Sequence, residues 1–339
     1  MNRRTFFLGL TGLAGCTSGK PRLNVYNWSD YVAEDTIPNF EQEFGVSVRY
    51  SVFESNEEML AKVMTGNSGW DIVFPSNYLI EPMREMGLLA PIQHQRLPNL
   101  ASLSPEYQSP VWDPGLRWSV PYMLGASGIL YRKSLSPAPD SWASLWDQRL
   151  SGRITMLDDP AEVIGAALMK LGLPLNATGS DQLVRGREAA IAQKPLLRAY
   201  LNAEVRDQVV AGDVLAAQLW TTTAAQAMAA SEGLGFAYPR EGFARYADNV
   251  VILAESQRAG LAHQLIDYLL RPQVAAAIVR TSRTATANGA AHALLPDDLR
   301  NDPALYPPES ILARGQWFAP MPAAVQRLRD RIWTEIKAS

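Results

Sequence analysis

A chain of 339 residues with 47% hydrophobic and 19% charged side chains is long enough for two domains and too well balanced to be disordered or fibrous. Its net charge is −3, and loss of Arg3 and Arg4 takes it to −5 (−3 minus 2), which argues against a nucleic-acid partner and suits a cationic one. One cysteine, Cys16, excludes a disulfide framework and a cysteine metal site.

The chain opens on a leader. Arg3 and Arg4 form a basic start, Thr5 to Ala14 are apolar or small, and Leu13-Ala14-Gly15-Cys16 closes the run. That stretch is too short to span a bilayer as a mature helix, so residues 1–15 read as a cleaved export signal and 16–21 as a linker. Gly9, Gly12 and Gly15 make no nucleotide loop, because no strand precedes them. No later apolar run approaches membrane-spanning length.

Leu23 to Val25 begins a first strand that ends on Trp28-Ser29-Asp30-Tyr31. Ring faces attract positive charge through their quadrupole and a carboxylate supplies the counter-charge, so this cluster is suited to a cation. It stands at the C-terminal end of a strand, where open α/β sheets keep their ligands. Asp30 alone fits a turn before the next helix equally well. Val46, Val48, Tyr50 and Val52 then alternate with polar residues as in a half-buried strand. Asp71 to Phe74 is a short buried strand, stopped by Pro75 and followed by Ser76 and Tyr78. Helices are expected over Asp35 to Phe44 and Asn56 to Thr65, the second capped by Ser55 with Glu58 three residues on.

A Pro- and Trp-rich passage from Pro105 to Pro121 loosens the pattern, and strands restart at Ile129 to Tyr131 and Arg153 to Met156. Asp159-Pro160-Ala161-Glu162 is a helix start, with Asp as N-cap, Pro at the first helical position and Glu at the third. On the residues alone, a cap is the simpler reading of both acids. Trp220 ends the run Ala217-Gln218-Leu219, as a core residue would. Tyr246 and Asp248 precede a strand at Val250 to Leu253, and a helix follows from Leu261 to Leu270 until Arg271-Pro272 interrupts it. Strands alternating with helices imply a mainly parallel sheet.

Enzyme signatures are missing. His94, His263 and His292 are far apart without metal-binding spacing, and there is no Gly-x-Ser-x-Gly elbow or phosphate loop. Spaced carboxylates can serve a glycosidase, so the rival from another class is a lipid-anchored cell-surface hydrolase. Neither a cofactor nor a metal is expected.

Tyr26-Asn27-Trp28-Ser29-Asp30-Tyr31, Phe53-Glu54-Ser55-Asn56, Val73-Phe74-Pro75-Ser76, Pro121-Tyr122, Ser141 to Trp146 and Leu269-Leu270-Arg271-Pro272 occur in order across the mature chain. In these segments the sequence resembles the spermidine/putrescine-binding proteins of ABC importers. The resemblance implies a type II periplasmic binding protein, an α/β fold of two lobes with mainly parallel sheets flanked by helices and a ligand cleft between them. It assigns residues 22–123 plus 247–292 to one lobe and 128–243 plus 298–339 to the other. Hinge crossings fall at 124–127, 244–246 and 293–297.

The resemblance further implies a polyamine ligand, spermidine or putrescine, contacted by Trp28, Ser29, Asp30, Tyr31, Ser76, Tyr78, Asp159, Glu162, Trp220, Tyr246, Asp248 and Thr284. It also implies delivery to an ABC permease by a monomer at the outer face of the cytoplasmic membrane or in the periplasm. Arg3 to Leu8 resembles a twin-arginine signal, and the segment ending at Cys16 resembles a lipoprotein box, implying a lipid anchor there. The sequence departs from the family pattern at Thr284, where relatives carry tyrosine, at Tyr246, which replaces a tryptophan, and at Phe318, which replaces a glutamine. Thr221 to Thr223 stand where putrescine binders place an extra acid, which tilts the expectation towards spermidine. Other solutes such as iron or thiamine are the alternatives within the class. Iron binders present adjacent tyrosines, and this chain has no Tyr-Tyr pair.

Overall fold

The computed structural model describes residues 19–339. The leader and Cys16 therefore lie outside the described residues. The strands are β1 (Arg22–Trp28), β2 (Ser47–Phe53), β3 (Ile72–Val73), β4 (Val120–Arg132), β5 (Ile154–Met156), β6 (Leu197–Tyr200), β7 (Ala216–Trp220), β8 (Leu234–Ala237), β9 (Phe243–Ile252), β10 (Ala285–Thr286) and β11 (Gly315–Trp317). They form one sheet in the order β2-β1-β3-β9-β4-β7-β5-β6, with β10 and β8 on β4 and β11 on β9.

Parallel pairing is confined to the two wings and to β11. β1 lies parallel to β2 and β3, and β5 lies parallel to β6 and β7. The centre is antiparallel: β3 to β9, β9 to β4 and β4 to β7. The reason is the path of the chain. β4 carries it from the first wing to the second and β9 brings it back, so the two strands run in opposite senses and bond to each other.

These crossing strands are longer than the sequence pattern shows. β4 begins at Val120, not at the apparent restart at Ile129, and β9 begins at Phe243, seven residues before Val250. Pro121 and Gly125 disguise the first half of β4, since both are poor interior strand residues. Pro121 is accommodated at a shift of register between Pro121 and Met123. Gly125 pairs with Tyr246, and a Cβ there would come within 2.2 Å of the tyrosine ring. Only the missing side chain lets the ring lie across the neighbouring strand.

Local signals elsewhere act as their chemistry requires. Helix Thr36–Phe44 buries Phe40 and stops at Gly45, which takes φ 64°, a conformation costly for other residues. Ser55 accepts from the Glu58 backbone N–H at 3.1 Å and starts helix Asn56–Val63. The core is divided between the wings. Leu23, Val25, Phe40, Ile72 and Ile266 pack around the first. Ile129, Trp142, Ile154, Val163 and Leu168 pack around the second, where the C-terminal helix Ala323–Ala338 also buries Ile332 and Ile336. Each such side chain contributes about 1.5–3 kcal/mol by leaving water.

Gly125→Ala is expected to destabilise the fold by about 1–3 kcal/mol through overpacking against the Tyr246 ring. Urea unfolding measures this, and an unchanged midpoint would mean that the ring moves aside freely.

A ring-lined cleft with unpaired carboxyls

Strand ends from both wings converge on one cleft of about 110 Å³. The first wing supplies the residues after β1 and β3, and the second those after β5 and β7. β9 crosses between them and turns Tyr246 and Asp248, two residues apart and so on one face, towards the same space. Eleven of the twelve residues singled out in the sequence line this cleft: Trp28, Ser29, Asp30, Tyr31, Ser76, Tyr78, Asp159, Glu162, Trp220, Tyr246 and Asp248.

Thr284 is the correction. It lies fully buried between helix Pro272–Ser282 and β10, with its backbone N–H on Ser282 Oγ and its hydroxyl unpartnered. Its short side chain ends in packed protein and is no part of the cleft wall. Phe318, read from the sequence as a departure, does line the cleft and meets the Tyr78 ring at 5.7 Å.

Each cleft side chain is held by a neighbour. Trp28 Nε1 donates to the Phe74 carbonyl at 2.8 Å, which fixes its ring. Asp30 is exposed and takes φ 57°, a left-handed position in which Asp is enriched, as the chain turns off β1. Ser29 Oγ donates to Glu54, which also lines the cleft. Asn56 joins two walls: its Nδ2 donates to Ser76 Oγ and Tyr78 Oη, both at 3.0 Å, while its Oδ1 accepts from the Ser76 N–H. In the sequence Asn56 stands only after a capping serine and within the family-like segment from Phe53, and its contacts with Ser76 and Tyr78 appear only in three dimensions. Thr222, Thr223 and Gln226, on the helix that follows Trp220, complete the far wall.

The acids carry the electrostatics. Asp248 is 2% exposed and accepts from Tyr31 Oη at 2.7 Å and Ser76 Oγ at 2.6 Å. Burial nevertheless pushes its carboxyl up to about 6. Glu162 is 3% exposed and accepts from Trp220 Nε1 at 3.1 Å. Burial first, and then the negative charge of Asp159, push it up to about 8. Asp159 is raised by burial as well, although it accepts from the Glu162 backbone N–H at 3.0 Å. The cap and the cleft readings therefore hold together: Asp159 starts the helix, while Glu162 turns its carboxyl to Trp220 instead of back to the cap.

Among the described residues, no Lys, Arg or His nitrogen comes within 4.0 Å of Asp159, Glu162 or Asp248. The buried Arg329 guanidinium lowers Asp159 from beyond that distance, while Asp248 and Glu162 have no such cation among the described residues; buried carboxyls of that kind are costly, and a cation from outside relieves them. Among the described residues, no group of three or more His, Cys, Asp or Glu is placed to hold a metal ion.

A cleft lined by both wings of an α/β sheet and by a strand that crosses between them defines a solute receptor. The chain belongs to the bacterial extracellular solute-binding proteins, whose family model matches residues 36–307. It is 30% identical to the putrescine/cadaverine-binding protein of Pseudomonas aeruginosa over 97% of this chain and 96% of that one. It is 32% identical to the spermidine/putrescine-binding periplasmic protein of Escherichia coli over 93% and 91%. Among solved structures, the PotD lipoprotein of Treponema pallidum superposes with a TM-score of 0.82 at 28% identity, over 93% of this chain and 99% of that one. No helix among the described residues is long and apolar enough to cross a membrane.

In the ligand-free protein, Asp248 and Glu162 hold protons that the unfolded chain releases near pH 4. Their contribution to stability is present at low pH and is lost as pH rises through about 6 and about 8. Thermal melts of ligand-free protein from about pH 5 to pH 8.5 should show Glu162→Gln flattening the upper part of that loss. Parallel profiles for variant and parent would remove Glu162 from the titration.

Proposed function

We propose that this protein is the receptor of a polyamine importer, binding a linear di- or triamine in the cleft and delivering it to a membrane permease. The observation that carries this reading is the pair of buried acids Asp248 and Glu162, neither in an ion pair, in a cleft that aromatic rings and Asp159 also line. A polyamine is a row of ammonium groups separated by methylenes. Asp248 suits one ammonium, Asp159 and Glu162 another, and the rings of Trp28, Tyr31, Trp220 and Tyr246 cover the carbons and face the charge. Each charge-assisted hydrogen bond contributes about 1.5–3 kcal/mol and a desolvated cation–π contact about 2, enough for micromolar binding at about −8 kcal/mol after ordering costs. The ligands named for the two curated relatives support the same class.

The lobes are 22–123 plus 247–292 and 128–243 plus 298–339, hinged at 124–127, 244–246 and 293–297. Closing them excludes water, strengthens each charge contact and signals occupancy to the permease. The absence of an acid at Thr221 to Thr223 favours spermidine over putrescine. The protein works as a monomer, anchored by a lipid on Cys16 at the outer face of the cytoplasmic membrane, and the amine leaves it chemically unchanged.

Isothermal titration with spermidine, putrescine and agmatine tests this directly. One-to-one binding is expected, with Asp248→Asn and Asp159→Asn each weakening it between several-fold and about a hundredfold. Full affinity in both variants would take these acids out of the site. Because the cation must meet ionised carboxyls, affinity should rise from about pH 6 to pH 8.5, with proton release at neutral pH. Titrations in two buffers of different ionisation enthalpy measure that release, and identical heats would contradict it.

A further inference from the structure

Behind the crossing strands lies a second hollow of about 390 Å³, larger than the cleft itself. Strand alternation separates the two: Tyr246 and Asp248 line the cleft, while Arg245 lines the hollow. The helix after β7 divides likewise, with Thr222 and Thr223 on the cleft and Thr221 on the hollow. Leu124 to Ala126, Arg245 and His292 all contribute, so the hollow touches or adjoins each expected hinge crossing.

Its chemistry is the inverse of the cleft's. Arg245 is half-buried, with its guanidinium 4.1 Å from the Trp317 ring centroid and beside the Tyr107 hydroxyl. Among the described residues it has no carboxylate within 4.0 Å. Glu106, the one acid in the wall, is exposed at the rim. His292 has its Nε2 at 3.2 Å from the Arg300 carbonyl, and Arg245 supplies the only guanidinium in the lining of the hollow among the described residues. A guanidinium stacked on a ring presents its planar donor edge to a carboxylate. Leu305, Leu312, Tyr238 and Tyr306 make the rest of the wall suited to an apolar or aromatic body.

We propose that this hollow is a second small-molecule site, for a monocarboxylate with an aromatic or aliphatic body, whose occupant biases lobe closure through the crossing strands. The site itself is independent of what the cleft binds. Only the coupling rests on the polyamine reading, and coupling between two sites is reciprocal.

Isothermal titration of the purified protein with 2-naphthoate tests the site. Saturable one-to-one binding is expected, weakened about tenfold or more by Arg245→Met and about tenfold for the neutral probe 2-naphthamide. Leu312→Trp, which puts a larger side chain into the hollow's lining, should abolish it, with thermal melts confirming that both variants fold. Asp248→Asn should leave naphthoate affinity unchanged. No saturable binding by the parent, equal binding of the amide, or full binding by both hollow variants would overturn the site. Saturating naphthoate should shift spermidine affinity by about twofold or more, and an unmoved spermidine affinity would overturn the coupling. If naphthoate binds while no amine does, the hollow stands and the polyamine reading falls.

Discussion

The structure turns on two carboxyls, Asp248 and Glu162, that are buried without an ion-pair partner among the described residues. Removing a charged group from water is costly unless it is paired, and a protein normally avoids it or supplies a partner. Here Asp248 has two hydroxyl donors and Glu162 an indole N–H, yet both remain raised well above the ordinary carboxylate range. Those hydrogen bonds orient the acids without neutralising them. The fold thus keeps a local debt of positive charge, which an ammonium can meet at several points at once.

Architecture explains why the debt falls in one place. Parallel wings deliver the ends of β1, β3, β5 and β7 to a common edge, and the antiparallel pair β4 and β9 holds the wings together. β9 contributes side chains at its middle, where no strand end is available. That arrangement needs Gly125, because Tyr246 can lie across β4 only where the partner residue has no Cβ.

What the sequence disclosed follows from how local each signal is. The caps at Ser55 and Asp159 and the aromatic-acid cluster after β1 were legible, since their chemistry is complete within a few residues. The family pattern added Tyr246 and Asp248, which a lone strand motif would not single out. The first half of β4 was hidden by Pro121 and Gly125, whose tolerance depends on a register shift and on a ring from another strand. Asn56 was hidden for the same kind of reason, as its donors and acceptor matter only beside Ser76 and Tyr78. Thr284 failed in the opposite direction: its short side chain is fully buried and does not reach the cleft.

The rings decide which cation the debt suits. A metal ion needs several oxygens converging on one point, and no such group exists among the described residues. Asp248 on β9 and the Asp159–Glu162 pair after β5 come from separate elements instead, and indole and phenol rings line the same cleft. A small hydrated ion would leave those apolar faces uncovered and at least one acid unmet. A chain with charges at intervals satisfies both demands, because its methylenes lie on the rings while its ammoniums reach the acids. The spacing of charge and hydrocarbon, more than charge alone, is therefore the property this cleft selects.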